Sequence, residues 1–551
     1  MHDLVIRGGT VFDGTGAEGV LGDVAVRAGR VVEVGRVAGG ATRTVDASGL
    51  YVVPGFVDGH THLDAQIFWD PYAGSLLAHG VTTAVMGNCG FTLAPGGEEH
   101  AELVVRSIER SEDMSREAIA RGVPWTWRTF PEYLDAVDAL PKALNLVGQL
   151  GHSALRAAVM GERAFTEPAT DADVARMAAA VEEAIAAGAR GFSTSRSRAH
   201  ATRTGTPVAS RLAAWDEVVA LVTAMGRRGR GLFQLAPERS TELAALADFQ
   251  ARLRDLAVTS GRPVTFMVGG QDEQLDTVAR VVAAGGAATG QVHVRGFENV
   301  FGFRTALPFD RLERWREVRS RPLDAQRRLL EDEAVRAALI DEAEHGDYGE
   351  AIGAEVRAPD FDAITIVDGA EPERTVAAAA AARDLRPVEL MIHLALASDF
   401  DQLFRQPLSD TSPEQVLRAL RHPHTVIAAS DSGAHVSQIL DSNIPTWFLA
   451  HWVRDRGAFT WPEAIHMLTG RPAAVWGLEG RGTLRPGSHA DVVVLDPETV
   501  GSEPPRVVND LPDGGPRLAQ GATGIHAVIV NGTLTLEGGR ATGDTSGRLL
   551  R

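Results

Sequence analysis

The sequence predicts an α/β protein: a (β/α)8 TIM-type barrel with a small β-sandwich domain built from both termini. Three observations predict it. Eight short apolar runs recur between residues 51 and 430, several of them separated by Ala/Glu/Arg-rich stretches such as DADVARMAAAVEEAIAAG. Buried strands alternating with helices suit a closed parallel barrel. Both ends of the chain instead alternate Val or Ile with glycine breaks, the texture of antiparallel hairpins. Finally, 551 residues exceed one ordinary core, so a barrel with additions fits the length. An open three-layer sheet is the alternative architecture.

The elements follow in order. Residues 1–50 read as short strands, DLVIRGGTVFDG, GDVAVRAGRVVEVG and RTVDASG. The barrel is expected over 51–478, with strands at 51–60, 81–87, 143–151, 189–195, 230–236, 263–269, 290–295 and 424–430. Two long gaps, about 88–142 and 296–423, read as helical insertions above the barrel, placed to shape a pocket. Residues 479–551 return to hairpin texture in GTLRPGSHADVVVLDPETV and HAVIVNGTLTLEGG, and complete the small β domain. Termini often lie close together, so a domain assembled from both is reasonable.

A net charge of −18 argues against a nucleic-acid surface, which needs a basic patch. No run of about 18 apolar residues suggests a membrane span. The start, MHDLVIRGGTVFDG, lacks a basic segment followed by an apolar one, so a cytoplasmic enzyme is expected. Assembly into a homo-oligomer stays open. Cys89 is the single cysteine, which excludes an intrachain disulfide, and Lys142 is the single lysine.

Catalytic groups in a barrel come from the C-terminal ends of its strands. GFVDGHTHLD places His60 and His62 at the end of the first. Residues two apart on an extended chain face the same side, so both imidazoles can converge on one cation. A bare pair of this kind can equally be hydrogen-bonded structure. The last strand, HTVIAASDSGAH, ends in Ser430 and Asp431. In a closed barrel strand eight lies beside strand one, so Asp431 is expected to ligate the same metal or take a proton from its water. Alone, an aspartate after a strand would more often cap a helix.

Together these motifs resemble the amidohydrolase superfamily. GFVDGHTHLDAQIFWDP, HGVTTAVMGNCG, GHSALR and SDSGAH resemble its N-acyl-D-amino-acid deacylase branch, and the similarity spans nearly the whole chain. The resemblance implies a barrel, bound zinc and hydrolysis of a small-molecule linear amide. Many superfamily members bridge two metals with a carboxylated lysine on strand four. Lys142 precedes strand three and cannot serve there. The deacylase branch uses a cysteine after strand two, and Cys89 in MGNCG stands at the matching place. One departure is clear: the branch has histidines after strands five and six, where this chain has Gln234 in FQLAPE and no histidine in TFMVGG. One catalytic Zn2+ is therefore expected on His60, His62, Asp431 and Cys89, with a second ion left open.

Other polar groups receive roles as expectations. His152 in LGHSALR is a candidate to polarise the carbonyl, and Arg295 to clamp a substrate carboxylate bidentately. His435, Gln234 and Ser195 are candidate substrate contacts, Asp64 a support behind the ligands, and His79 structural. His293 is expected within strand seven. Two further readings stay open: a cyclic-amide hydrolase of the hydantoinase or dihydroorotase type, and an inactive barrel used for binding.

Overall fold

The structure is a computed structural model that describes residues 1–238, 242–368 and 374–551. Eight parallel strands run in chain order: Phe56–Asp58, Val81–Met86, Asn145–Gly151, Gly191–Ser195, Leu232–Ala236, Val264–Met267, Ala288–Val292 and Thr425–Ile427. Almost every residue in them is buried, which explains the unbroken apolar runs: a parallel barrel strand is covered on both faces. Strands one and eight meet just past their ends, where His62 N–H donates to Ser432 O (2.8 Å) and Asp431 N–H to His60 O (3.3 Å). Gly433 permits that approach, because a Cβ there would lie 2.4 Å from His62 O and its φ is +95°.

The first apolar run divides between two sheets. Tyr51–Pro54 joins the terminal sheet and Phe56–Asp58 opens the barrel. The break falls at Pro54-Gly55, where proline lacks a donor and a Cβ on Gly55 would strike Thr82 Oγ1 at 2.1 Å. The terminal sheet has nine strands, and both ends of the chain contribute. Tyr51–Pro54 pairs with Val492–Leu495 on one side and with His2–Val11 on the other. Alternation sets its two faces. Val52, Val492 and Val494 pack with Leu4 and Ile6, whereas Val53, Val493 and Val528 join the barrel's own core.

The segment 88–142 carries helices Ala101–Ile108, Arg116–Gly122 and Phe130–Ala139. The longer insertion, 296–423, is not helical throughout. It contains an antiparallel sheet of Glu298–Gly302, Thr365–Ile366 and Leu403–Pro407, with helices against it. Its core is separate and rich in aromatics, including Phe301, Phe303, Phe309, Trp315, Phe400 and Phe404. Residues 369–373 of this insertion lie outside the described residues. Among the described residues no helix is long and apolar enough to cross a membrane.

Candidate metal centre

His60 and His62 stand immediately beyond strand one, where Asp58 accepts the His60 backbone N–H (3.0 Å). His60 Nδ1 lies 2.6 Å from Gln291 Oε1. An amide oxygen only accepts, so the ring proton sits on Nδ1 and Nε2 keeps its lone pair. That bare Nε2 is 3.3 Å from Cys89 Sγ and 3.3 Å from Asp431 Oδ1. His62 Nδ1 is 3.3 Å from Glu112 Oε2, without a hydrogen bond between them, and its Nε2 is 3.8 Å from Asp431 Oδ1. Among the described residues His60, His62 and Cys89 bring their donor atoms within 4.8 Å of one another. Asp431 Oδ1 is buried without a hydrogen-bond partner. Two imidazole nitrogens, a sulfur and a carboxylate oxygen form a donor set suited to Zn2+, so these residues fit a divalent cation.

Cys89 is presented by a strained turn after strand two. Its φ is 56° and ψ 16°, left-handed for a residue that carries a Cβ. Neutral side chains from three successive strands hold the turn. Gln149 Nε2 donates to Asn88 Oδ1 (2.9 Å), Ser193 Oγ accepts from Gly90 N–H (2.9 Å), and Gln234 Oε1 accepts from Cys89 N–H (2.6 Å). Asn88 in turn donates to Thr61 O (3.1 Å), tying the turn to the loop that carries both histidines.

Burial dominates the electrostatics. It pushes the Asp58 carboxyl up to about 6 and the Asp64 carboxyl up to about 7, although each accepts hydrogen bonds that oppose the shift. Burial, reinforced by Asp431 and Asp64, takes Glu112 well above the carboxylate range. His62 is held well below the usual imidazole value by burial and by His60, His435 and His200. Burial also raises the Cys89 thiol, with Asp431 and Glu112 adding to it and a hydrogen bond from Gln234 opposing. These acidic groups and imidazoles crowd together in a form that a cation would relieve.

Several expected residues have other partners. His152 is fully buried at the start of a helix, with Nδ1 2.8 Å from Thr194 Oγ1 and Nε2 2.9 Å from Glu217 Oε1. Both nitrogens are engaged, so it cannot also polarise a carbonyl. Arg295 is not a free clamp: its guanidinium donates to Asp441 (2.5 Å) and Asn443 (3.2 Å) and lies over the Trp447 ring. Gln234 Oε1 accepts the Cys89 N–H, so the side chain supports the turn after strand two. Ser195 Oγ is 2.7 Å from His200 Nδ1 and orients that ring. His293 follows strand seven instead of lying within it, and its Nε2 is 3.1 Å from Asp441. His435 does belong to this region: its backbone N–H donates to Glu112 O (2.5 Å), and burial lowers its imidazole while Asp431 and Asp113 oppose. Lys142 donates to Asp138 O and Leu140 O at a helix end, away from the site.

Sequence reasoning missed Glu112, His200 and Gln291. Glu112 comes from the 88–142 insertion, where no motif marks it. His200 lies past strand four, and its imidazole is lowered to about 3 by burial and nearby positive groups. A histidine beyond a barrel strand was a legible signal, blurred by the intervening RSRA. Beside His62 and Glu112 opens an apolar pocket lined by Phe91, Leu93, Ile108 and Met114.

Comparison with known proteins gives a consistent picture. Residues 43–535 match the Amidohydrolase family. An N-acyl-D-aspartate deacylase of Alcaligenes xylosoxydans xylosoxydans is 30% identical over 555 residues, covering 100% of this chain and 95% of that protein. A D-aminoacylase of the same organism is 29% identical over 562 residues, covering 100% and 97%. A solved D-aminoacylase structure superposes with a TM-score of 0.66 at 26% identity and covers 100% of both chains. That structure is described by a binuclear metal centre, with one-metal activation and second-metal attenuation.

Proposed function

The chain belongs to the amidohydrolase family, and from that premise we propose that it is a zinc-dependent deacylase hydrolysing the linear amide of N-acyl amino acids, those of D configuration first. The observation that carries the reading is the convergence of His60, His62, Cys89 and Asp431 at the barrel mouth. Full-length similarity to two deacylases supports the substrate class. We assign one ion to these four residues. Gln234, where an imidazole for a second ion would be expected from the resemblance, is already bonded to Cys89.

A cation bound here supplies Lewis acidity, polarising the scissile carbonyl and making water a stronger acid. The protein's residues do the rest. Asp431, with Oδ1 turned to the imidazoles, accepts the proton of the attacking water on its other carboxylate oxygen. It then delivers that proton to the leaving nitrogen as the C–N bond breaks, giving a carboxylate and a free amine. Gln291 holds the His60 imidazole with Nε2 turned toward the centre, and Glu112 lies beside the His62 ring. Phe91, Leu93, Ile108 and Met114 pack beside His62 and keep water from that side of the ring.

The test combines elemental analysis of protein purified without added metal with a hydrolysis panel of N-acetyl-D-amino acids, N-acetyl-L-amino acids and hydantoins. The expected result is about one zinc per chain, retained in part on dialysis, and amine release from the linear amides. Ring opening of hydantoins with no linear turnover would redirect the reading to a cyclic amidase. Neither metal nor turnover would leave a binding barrel.

A further inference from the structure

We propose that Gln234 is a positioning residue for the Cys89 thiolate, gripping that residue at both its backbone N–H and its sulfur. The proposal rests on the metal-centre reading above and deepens it. The side chain of Gln234 is fully buried at the C-terminal end of strand five. Its oxygen accepts the Cys89 N–H at 2.6 Å. Its amide nitrogen is buried without a hydrogen-bond partner, although it carries two donors. A buried amide donor without a partner is unfavourable unless something accepts from it. A thiolate drawn toward His60 is such an acceptor.

The need for the grip is visible in the backbone. Cys89 occupies a left-handed conformation that L-residues with a Cβ avoid. Gly90 on its far side is fixed by Ser193 Oγ, and Asn88 on its near side by Gln149. Those contacts hold the turn, but neither reaches the cysteine itself. Gln234 holds the Cys89 backbone N–H directly, in the turn that places the sulfur 3.3 Å from His60 Nε2. An N–H donated to a metal-bound thiolate also draws charge from the sulfur and leaves the cation a stronger Lewis acid. In this chain, strand five therefore serves the metal through its cysteine and not as a ligand.

The experiment uses the full chain stripped of metal and titrated with Co2+ alone, which reports thiolate ligation through a near-ultraviolet sulfur-to-cobalt charge-transfer band. Wild type should take up about one Co2+ and show the band. Gln234→Met keeps volume but removes both hydrogen-bonding groups; it should lose most of the band and bind Co2+ about 10–100-fold more weakly. Ser193→Ala loosens the same turn without touching Cys89 and should keep the band. Should Gln234→Met fail to fold, Gln234→Glu retains an oxygen for the Cys89 N–H and sets a negative oxygen against the sulfur, so its band should also fall. A band that survives in the Gln234 variants, or that falls equally in Ser193→Ala, overturns the proposal. So does a second equivalent of Co2+ lost on changing Gln234, which would make that residue a ligand. Wild type that binds Co2+ without the band overturns the proposal together with the thiolate ligation beneath it. Hydrolysis of N-acyl amino acids is scored separately, so the deacylase reading stands or falls on its own result.

Discussion

His60 Nδ1 and Gln291 Oε1 lie 2.6 Å apart, joining the end of strand one to strand seven across the inside of the barrel. The amide oxygen fixes the ring's tautomer, so the opposite nitrogen is free to bind a cation. Gln291→Leu removes that control and leaves a buried ring N–H unpaired. Metal affinity should fall about 10–100-fold, as for other groups that orient a ligating histidine. Competition with a chromogenic chelator measures it; unchanged affinity would refute the role.

Asp431 sits at the mouth with one oxygen buried and unpartnered. Replacing it by Asn preserves shape and one oxygen but cannot take a proton. The variant should lose about 10²–10⁴ in kcat on an N-acetyl amino acid. His60, His62 and Cys89 remain, so elemental analysis should still find bound metal. Near-normal kcat would assign the proton transfer elsewhere.

Glu217 accepts from Arg156 (2.5 Å) and lies 2.9 Å from His152, and all three side chains are buried. This cluster supports the barrel instead of the chemistry. Glu217→Ala strands an arginine in the core and should cost about 3–5 kcal/mol in urea unfolding. Metal content per folded chain should stay at the wild-type level. Loss of metal with unchanged stability would return His152 and its partners to the active centre.

The barrel was legible because each strand is a short apolar run bounded by polar or glycine-rich loops, and HxH and SD fall where barrel chemistry requires them. The split at Pro54-Gly55 was hidden because a continuous apolar run looks alike whether it feeds one sheet or two. The sheet in 296–423 was missed for a related reason: Glu298–Gly302 and Leu403–Pro407 pair across more than 95 residues, a separation that local pattern does not reveal. The candidate ligands stand out by spacing, whereas Glu112, Gln291 and His200 are ordinary polar residues until the fold turns them inward. Arg295, expected to clamp substrate, and His152, expected to polarise the carbonyl, both have protein partners, and sequence shows a polar group but not the partner it has in the fold.

His79 is fully buried, 2.7 Å from Thr446 Oγ1, and burial lowers its imidazole to about 3 from an ordinary 6.5, with Arg295 adding to the drop. The folded protein keeps this ring neutral while the unfolded chain protonates it near 6.5. Its stabilising contribution is therefore complete above 6.5 and is lost as pH falls from there toward 3, because the unfolded state then binds the extra proton. The slope from this one group approaches about 1.4 kcal/mol per pH unit. His79→Gln can still hydrogen-bond Thr446 but cannot titrate, and the other histidines are common to both proteins. Urea unfolding at pH 6.5 and pH 5 should show the wild-type free energy falling relative to the variant's by about 1–2 kcal/mol. A difference between the two proteins that stays constant over this interval would mean that His79 protonates as readily in the native state as in the unfolded one.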